Sequence, residues 1–322
     1  MLWRPAFLCN SPGLMGDPLS DILTLANAES VMTGRLFAGG AWAIHFPAPE
    51  QVKLYAVVRG GCWVLREGDP QPERFESGDV VLLTERRAFV LASDLSAAPR
   101  DARDLFGQTQ GRTVRLGDPP YFELLGGHVK LDPLRGRMLL EALPPRLRLR
   151  GGSPAATSAQ HLLAQLAEEL GADQAGARVA SRLLTQLVFV LVLRAHLAEA
   201  SPAGTGWLRA LADKQLAPAL RLIHGDPGRD WQLAELARAA GMSRTTFAER
   251  FKASAGVAPF VYLVQWRMRL AERALLEQDV TIAALAESLG YSSESAFSSA
   301  FKRVTGKPPR RFRVGARSAA GG

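Results

Sequence analysis

Two short stretches of the chain hold the residues best suited to chemistry. The first presents Arg244, Thr245, Ala248, Glu249 and Lys252. The second presents Ser293, Glu294, Ser295, Ser298, Ser299 and Lys302, about fifty residues later. The chemistry they suit is recognition rather than bond making. Small hydroxyls and carboxylates can meet base edges in a DNA major groove, where a Glu accepts from cytosine N4. Flanking Arg and Lys can meet phosphates, which position a protein without reading sequence. The expected phosphate contacts are Arg244, Lys252, Lys302 and Arg303.

These side chains act together only if rigid elements hold them. "GMSRTTFAERFK" begins at Gly241 and "GYSSESAFSSAFK" at Gly290, preceded by "LAELARAA" and "IAALAESL". Phe247 and Phe297 are fifty residues apart, as are Phe251 and Phe301. A repeat of this size marks a repeated structural unit. In each copy a short apolar helix meets a Gly suited to the left-handed position that ends a helix. Ser243 and Ser292 can cap the helix that follows. Two helices joined by so short a turn form a helix-turn-helix. Leu233, Leu236, Ala237 and Phe247 would make one small core, and Ile282, Leu285, Ala286 and Phe297 the other. Between the copies, "PFVYLVQWRMRLAERALLEQ" opens on Pro259, a good first helical residue. Such a helix spans roughly 28 Å at about 1.5 Å per residue, close to the ~34 Å turn of DNA. It could hold the two second helices in successive major grooves.

Charge placement agrees. From Trp207 to Gly322 there are 18 Lys and Arg against 10 Asp and Glu, a net of +8, while the first 206 residues hold 21 of each sign. All the excess positive charge lies in the repeated segment, which points to an anionic polymer, nucleic acid first.

The first 150 residues read differently. "KLYAVVRG", "CWVLREG", "RFESGDVVLLTE" and "AFVLAS" are short apolar runs between turn signals, the pattern of a sandwich or barrel. "DPLSDILTLANAE" ahead of them reads as a helix with Ser20 or Asp21 as cap. "RLRLRGGSPAATS" reads as a boundary, after which "AQHLLAQLAEEL" and "GARVASRLLTQLVFVLVLRAHLAEA" are helical. The second is apolar on more than one face, so a partner subunit is expected to bury the rest. Its "LVFVLVL" core is too short for a span of about 20 residues. "SPAGTG", Ser201–Gly206, reads as a linker. "MLWRPAFLCNSPGLM" does not read as a secretory signal, and two cysteines make no disulfide framework, so the expected setting is a reducing cytoplasm.

The stretches "LAELARAAGMSRTTFAERFKASAGVAPFVYL", "RMRLAERALL" and "IAALAESLGYSSESAFSSAFKRVTGKPPRRFR" together resemble the DNA-binding domain of the AraC family of bacterial transcription regulators. The resemblance includes the closing Gly306, Pro309 and Phe312, and it implies base contacts at Thr245, Ala248 and Glu249 of the first motif and at Glu294, Ser295, Ser298 and Ser299 of the second. "AVVRGGCWVL" and "ESGDVVLLTERRAFVL" resemble the cupin-type sensor domain carried by one branch of that family. Enzymatic cupins hold a metal through His residues; here Phe89 and Tyr55 stand where ligands would be expected. His45 and Glu50 remain, too few for a catalytic metal site. Some regulators of this type sense oxidants through cysteine, which makes Cys62 the candidate sensor. Its favoured reading is a core residue, because sensing needs an accessible thiol of low pKa, and Arg59 or Arg66 would have to lie close.

The expected fold class is α+β: a cupin-like β-barrel over 1–152, a helical dimerisation and linker segment over 153–206, and an all-α domain with two helix-turn-helix motifs over 207–322. The expected function is sequence-specific DNA-binding regulation of transcription under a signal sensed in a non-catalytic cupin domain. Expected partners are double-stranded promoter DNA, a second copy of the chain, RNA polymerase and an unknown effector; no membrane, metal, cofactor or catalytic residue is expected. Two other classes compete. A cupin enzyme fused to a DNA-binding domain would need the missing His ligands. A DNA-alkyl acceptor would need a nucleophilic Cys in a zinc cluster, and the basic third has no Cys.

Overall fold

The computed structural model describes residues 17–107, 113–133, 135–171, 174–198 and 206–320. Cys9, the N-terminal stretch around it and the linker ahead of Gly206 lie outside them. In chain order the elements begin with α1 (Pro18–Leu25), β1 (Glu29–Ala38), β2 (Ala43–Phe46), β3 (Val52–Arg59), β4 (Gly61–Arg66), β5 (Glu73–Glu76), β6 (Val80–Leu83), β7 (Phe89–Ala92) and β8 (Arg100–Asp101). There follow α2 (Ala102–Gly107), β9 (Thr113–Leu116), β10 (Phe122–Lys130), α3 (Arg137–Ala142), β11 (Arg146–Leu149), α4 (Pro154–Gly171) and α5 (Ala177–Ala198). The remainder is helical: α6 (Trp207–Ala212), α7 (Ala217–Gly225), α8 (Leu233–Ala239), α9 (Arg244–Ala255), α10 (Pro259–Glu277), α11 (Ile282–Ser288), α12 (Glu294–Thr305) and α13 (Pro309–Ala320).

The chain forms two compact units that do not follow chain order. One comprises Ala28–Leu131 and Leu143–Glu199; the other comprises Met1–Asn27, Asp132–Ala142 and Ala200–Gly322.

The first unit holds two sheets. Six strands run β11-β6-β3-β10-β1-β9 and five run β5-β4-β7-β2-β8. Among the described residues β1–β9 and β2–β8 pair in parallel and the other pairs are antiparallel. The sheets are two open layers rather than the closed barrel expected, and the reason is visible in the order: each ends in unpaired edge strands. Their facing sides share one core, with Leu36, Tyr55, Val57, Val81, Phe122 and Leu124 from the larger sheet and Ile44, Cys62, Val64, Phe75, Phe89 and Leu91 from the smaller. "VVLL" of β6 is buried at all four positions. Alternation puts Val81 and Leu83 inside the sandwich and leaves Val80 and Leu82 for the other face, where α5 packs against β1, β6 and β11.

Local details correct several readings. The cap of α1 is Asp17, whose Oδ1 accepts from the Leu19 N–H at 3.3 Å, not Ser20 or Asp21. "RLRL" forms a strand paired with β6, and the Gly-Pro-Ser stretch after it leads into α4. Buried Asp79 of the "SGD" turn accepts from the Glu76 N–H at 2.7 Å and the Gly151 N–H at 2.8 Å, which ties that turn to the chain after β11. Gly78 in the turn has φ +87°, the left-handed region open to Gly. By length and composition α5 is long enough and apolar enough to cross a membrane, yet Val188, Phe189, Val192 and Leu193 are buried in this unit. The apolar face left exposed is Val179, Leu183 and Leu187, at 53%, 60% and 44%.

In the second unit α8–α9 and α11–α12 form two helix-turn-helix motifs, each with its own aromatic core. Phe247 and Phe251 are 5.6 Å apart and Phe297 and Phe301 5.7 Å apart. Phe251 meets Tyr262 edge-on at 5.8 Å, and fifty residues on Phe301 meets Phe312 edge-on at 5.4 Å. α1 and α3 belong to this unit too. His224 is fully buried between α1 and α10: its Nδ1 lies 3.1 Å from Asp21 Oδ2, its Nε2 lies 2.7 Å from Tyr262 Oη, and its ring stacks on Trp266 at 4.2 Å.

Candidate DNA interface

Capping sets where each recognition helix begins. The Ser243 side chain accepts from the Thr246 N–H at 3.2 Å and so starts α9. In the second motif the cap is Ser293, accepting from the Ala296 N–H at 3.1 Å, and not Ser292. The glycines are 49 residues apart while the aromatics are fifty apart, so the second turn is one residue longer and the cap moves with the helix. Gly241 and Gly290 close the preceding turns at φ +66° and +76°. Gly256 and Gly306, both at φ +78°, end the recognition helices by donating to the Lys252 and Lys302 carbonyls.

With both helices started in register, the outward faces correspond at a fifty-residue offset. Thr245, Ala248, Glu249 and Lys252 recur as Ser295, Ser298, Ser299 and Lys302. Spacing i, i+3, i+4, i+7 at 3.6 residues per turn puts each set on one side of its helix, opposite buried Phe247 and Phe251 or Phe297 and Phe301. Thr245, Glu249, Lys252, Ser295, Ser299 and Lys302 are exposed, and Ala248 and Ser298 are half-buried. Arg244 and Glu294 occupy the equivalent first helical positions. A cation there opposes the positive end of the helix dipole and an anion favours it. Glu294 also meets Arg310 of α13 at 3.4 Å. Arg250 is held at 2.7 Å by Asp213, and among the described residues no ion pair joins it to Glu249 or Glu294. Arg303 sits at the edge of its face, lining a cleft with Arg269, Gln265 and Val264 of α10.

The residues of the cupin-like unit sit as follows. Phe89 and Tyr55 pack with Phe46, Phe89 stacked on Phe46 at 4.9 Å and edge-on to Tyr55 at 5.6 Å. Burial holds the Tyr55 phenol far above its ordinary pKa. His45 is half-buried in β2 and Glu50 is exposed. Among the described residues no group of three or more His, Cys, Asp or Glu is placed to hold a metal ion. Cys62 is fully buried, and burial pushes its thiol up to about 12 against the pull of Arg74. Arg59 is committed to the Pro120 carbonyl and Arg66 to Asp69, so neither cation named from the sequence serves the thiol.

Sequence reading passed over the buried Arg267 and the Asp21–His224–Tyr262 chain. Neither leaves a local signal, because the partners are 24 to 203 residues distant.

Comparison with known proteins agrees with this geometry. A family model described as cupin matches residues 17–198, and one described as helix-turn-helix domain matches residues 236–314. A protein of Streptomyces antibioticus named as an AraC-like transcription regulator is 41% identical over 297 residues, covering 92% of this chain and 98% of that one. The HTH-type transcriptional regulator AlkR of Acinetobacter baylyi is 30% identical over 285 residues, 85% of this chain and 91% of that one. Among solved structures, the DNA-binding domain of AdpA in complex with a target DNA is 30% identical, covers 33% of this chain and 95% of that chain, and superposes with a TM-score of 0.32. With cupin strands ahead, two capped recognition helices behind and this likeness along nearly its whole length, the chain belongs to the AraC family of DNA-binding transcription regulators.

Proposed function

We propose that both recognition helices read one promoter site. Thr245, Ala248, Glu249, Glu294, Ser295, Ser298 and Ser299 meet base edges, while Arg244, Lys252, Lys302 and Arg303 meet phosphates. The carrying observation is the residue-by-residue correspondence of two exposed polar faces, each started by a Ser cap and backed by a buried Phe pair. Arg244 adds support, since a cation at a helix N-terminus weakens the helix and needs an anion nearby to justify it.

In this reading the sandwich of 1–152 takes a small effector, segment 153–206 joins two copies through the exposed face of α5, and 207–322 binds DNA. The protein works in the bacterial cytoplasm as a homodimer, activates transcription by contacting RNA polymerase, and carries out no catalysis. Site selection from random DNA with the full chain, followed by a salt titration on the selected site, is the test. A two-part motif and a log–log salt slope that falls by about 1 in Lys302→Ala support it. Selection of no motif refutes it.

A further inference from the structure

Arg267 lies mid-way along α10 and is 9% exposed. Its Nε donates to the Pro227 carbonyl at 2.6 Å and its Nη2 to the Arg229 carbonyl at 2.9 Å. Its guanidinium sits over the Tyr291 ring, 5.7 Å from the centroid. Burying a cation is costly unless its donors are met, and here two backbone carbonyls accept from two of its five N–H groups. These contacts join two places that matter. Residues 227–229 lead into the first motif; Tyr291 lies in the turn of the second, edge-on to Phe297 at 5.6 Å.

The backbone makes the same junction directly. A Cβ on Gly290 would stand 2.0 Å from the Gly228 carbonyl oxygen, and a Cβ on Gly228 would stand 2.3 Å from the Ser288 carbonyl oxygen. Only two glycines allow chains to pass this closely. Segment 227–229 is in turn fastened to α8. Trp231 is buried and donates to the Asp226 carbonyl at 2.8 Å, Arg229 lies over the Trp231 ring at 4.2 Å, and Arg229 pairs with Glu235 of α8.

We infer that Arg267 is a positioning residue: by tying segment 227–229 to the Tyr291 turn it locks α9 and α12 at one separation, and so makes the protein discriminate between DNA sites by the number of base pairs separating their two halves. α10 packs against both motifs, with Tyr262 edge-on to Phe251 and with Met268, Ala271 and Leu275 in the core that holds Phe297 and Phe301; the Arg267 junction adds a second tie, and it is this tie that holds the angle between them. Inserting one base pair moves the second half-site by about 3.4 Å and turns it by about 34–36° around the duplex. A locked pair of helices cannot follow that displacement, whereas a hinged pair can. The inference rests on both helices reading DNA, as proposed above.

The experiment uses the full chain. Wild-type protein selects its site, and a series is then built in which the two halves are moved closer by one base pair or apart by one or two. Wild type is expected to lose about tenfold or more in affinity for each changed spacing, the scale of a mismatched position. Arg267→Met keeps an unbranched stem and loses the donors. It is expected to compress that range to under about threefold while base preferences within each half stay unchanged. Arg267→Lys, with one donor group, should fall between. Circular dichroism and melting check that each variant is folded. An Arg267→Met protein with the wild-type spacing profile, or with all spacings weakened equally, overturns the inference and leaves the two-helix reading intact. So does loss of fold in both variants, which makes Arg267 a core residue with no separable role. Selection of a single half-site by wild type overturns both.

Discussion

Glu249 and Glu294 are the acids on the two faces proposed to read DNA, and their surroundings differ. Glu294 opens α12, where an anion at the N-terminus is worth about 0.3–1 kcal/mol. It also meets Arg310, but Arg310 is 83% and Glu294 42% exposed, and such a surface pair contributes about 0–1 kcal/mol. Glu294→Ala is therefore expected to destabilise the helical unit by roughly 1 kcal/mol. Glu249 lies mid-helix and exposed, with no ion pair to it among the described residues, so Glu249→Ala should change stability by less than about 0.5 kcal/mol. Base discrimination runs on a different scale. A carboxylate accepting from cytosine N4 is worth about 1–3 kcal/mol, or about 5–150-fold between the right and wrong base. The assay is fluorescence anisotropy on the selected site and its single-base variants, beside urea unfolding of the same proteins. Each Glu→Ala variant should lose discrimination at one or two base pairs while its binding to unrelated DNA holds or tightens, because a charge that repels phosphates is gone. Arg310→Ala serves as control: it removes the ion pair but should leave discrimination unchanged. If both Glu→Ala variants select the wild-type motif with wild-type discrimination, the carboxylates are structural and the reading of these faces is wrong.

Three further outcomes follow from other parts of the molecule. Leu183→Glu with Leu187→Glu should yield a folded monomer in sedimentation, since both side chains are exposed on α5, while Val188→Glu places a charge at a site with 0% exposure and should unfold the unit, at a cost of several kcal/mol; a wild-type monomer at micromolar concentration refutes the interface. Burial holds the His224 pKa below its ordinary 6.5, partly offset by Asp21 and Asp17, so the unfolded chain binds the extra proton. The stabilising contribution is then complete above about pH 6.5 and is lost as pH falls through the lowered folded value, at up to about 1.4 kcal/mol per pH unit; His224→Phe should flatten that slope in denaturant titrations, and an unchanged slope refutes the assignment. In a Cys9→Ser background, Cys62 should resist a thiol reagent in native protein and react on unfolding, as expected of a buried thiol raised to about 12; rapid native labelling would restore it as a sensor.

The helical third was largely legible in the sequence because its signals are local. Gly and Ser turn chemistry and apolar spacing act over a few residues and recur fifty residues on, so the two motifs, their exposed polar faces and the excess charge could be read together. Even the shift of the cap to Ser293 was written in the mismatch between 49 and fifty. What local pattern could not decide was which apolar residue faces what. On α5 the sequence shows a surplus of apolar residues, but only packing against the larger sheet buries Val188 and Val192 and leaves Leu183 and Leu187 outside. Two open sheets, rather than a closed barrel, depend on pairings between distant strands such as β1 with β10. The joining of α1 and α3 to the helical unit, the burial of His224 against Asp21, and the grip of Arg267 on residues 227–229 all arise between residues far apart in the chain. Such contacts have no spacing to betray them: they form only where tertiary packing excludes water and each buried polar group must find the partner the fold supplies.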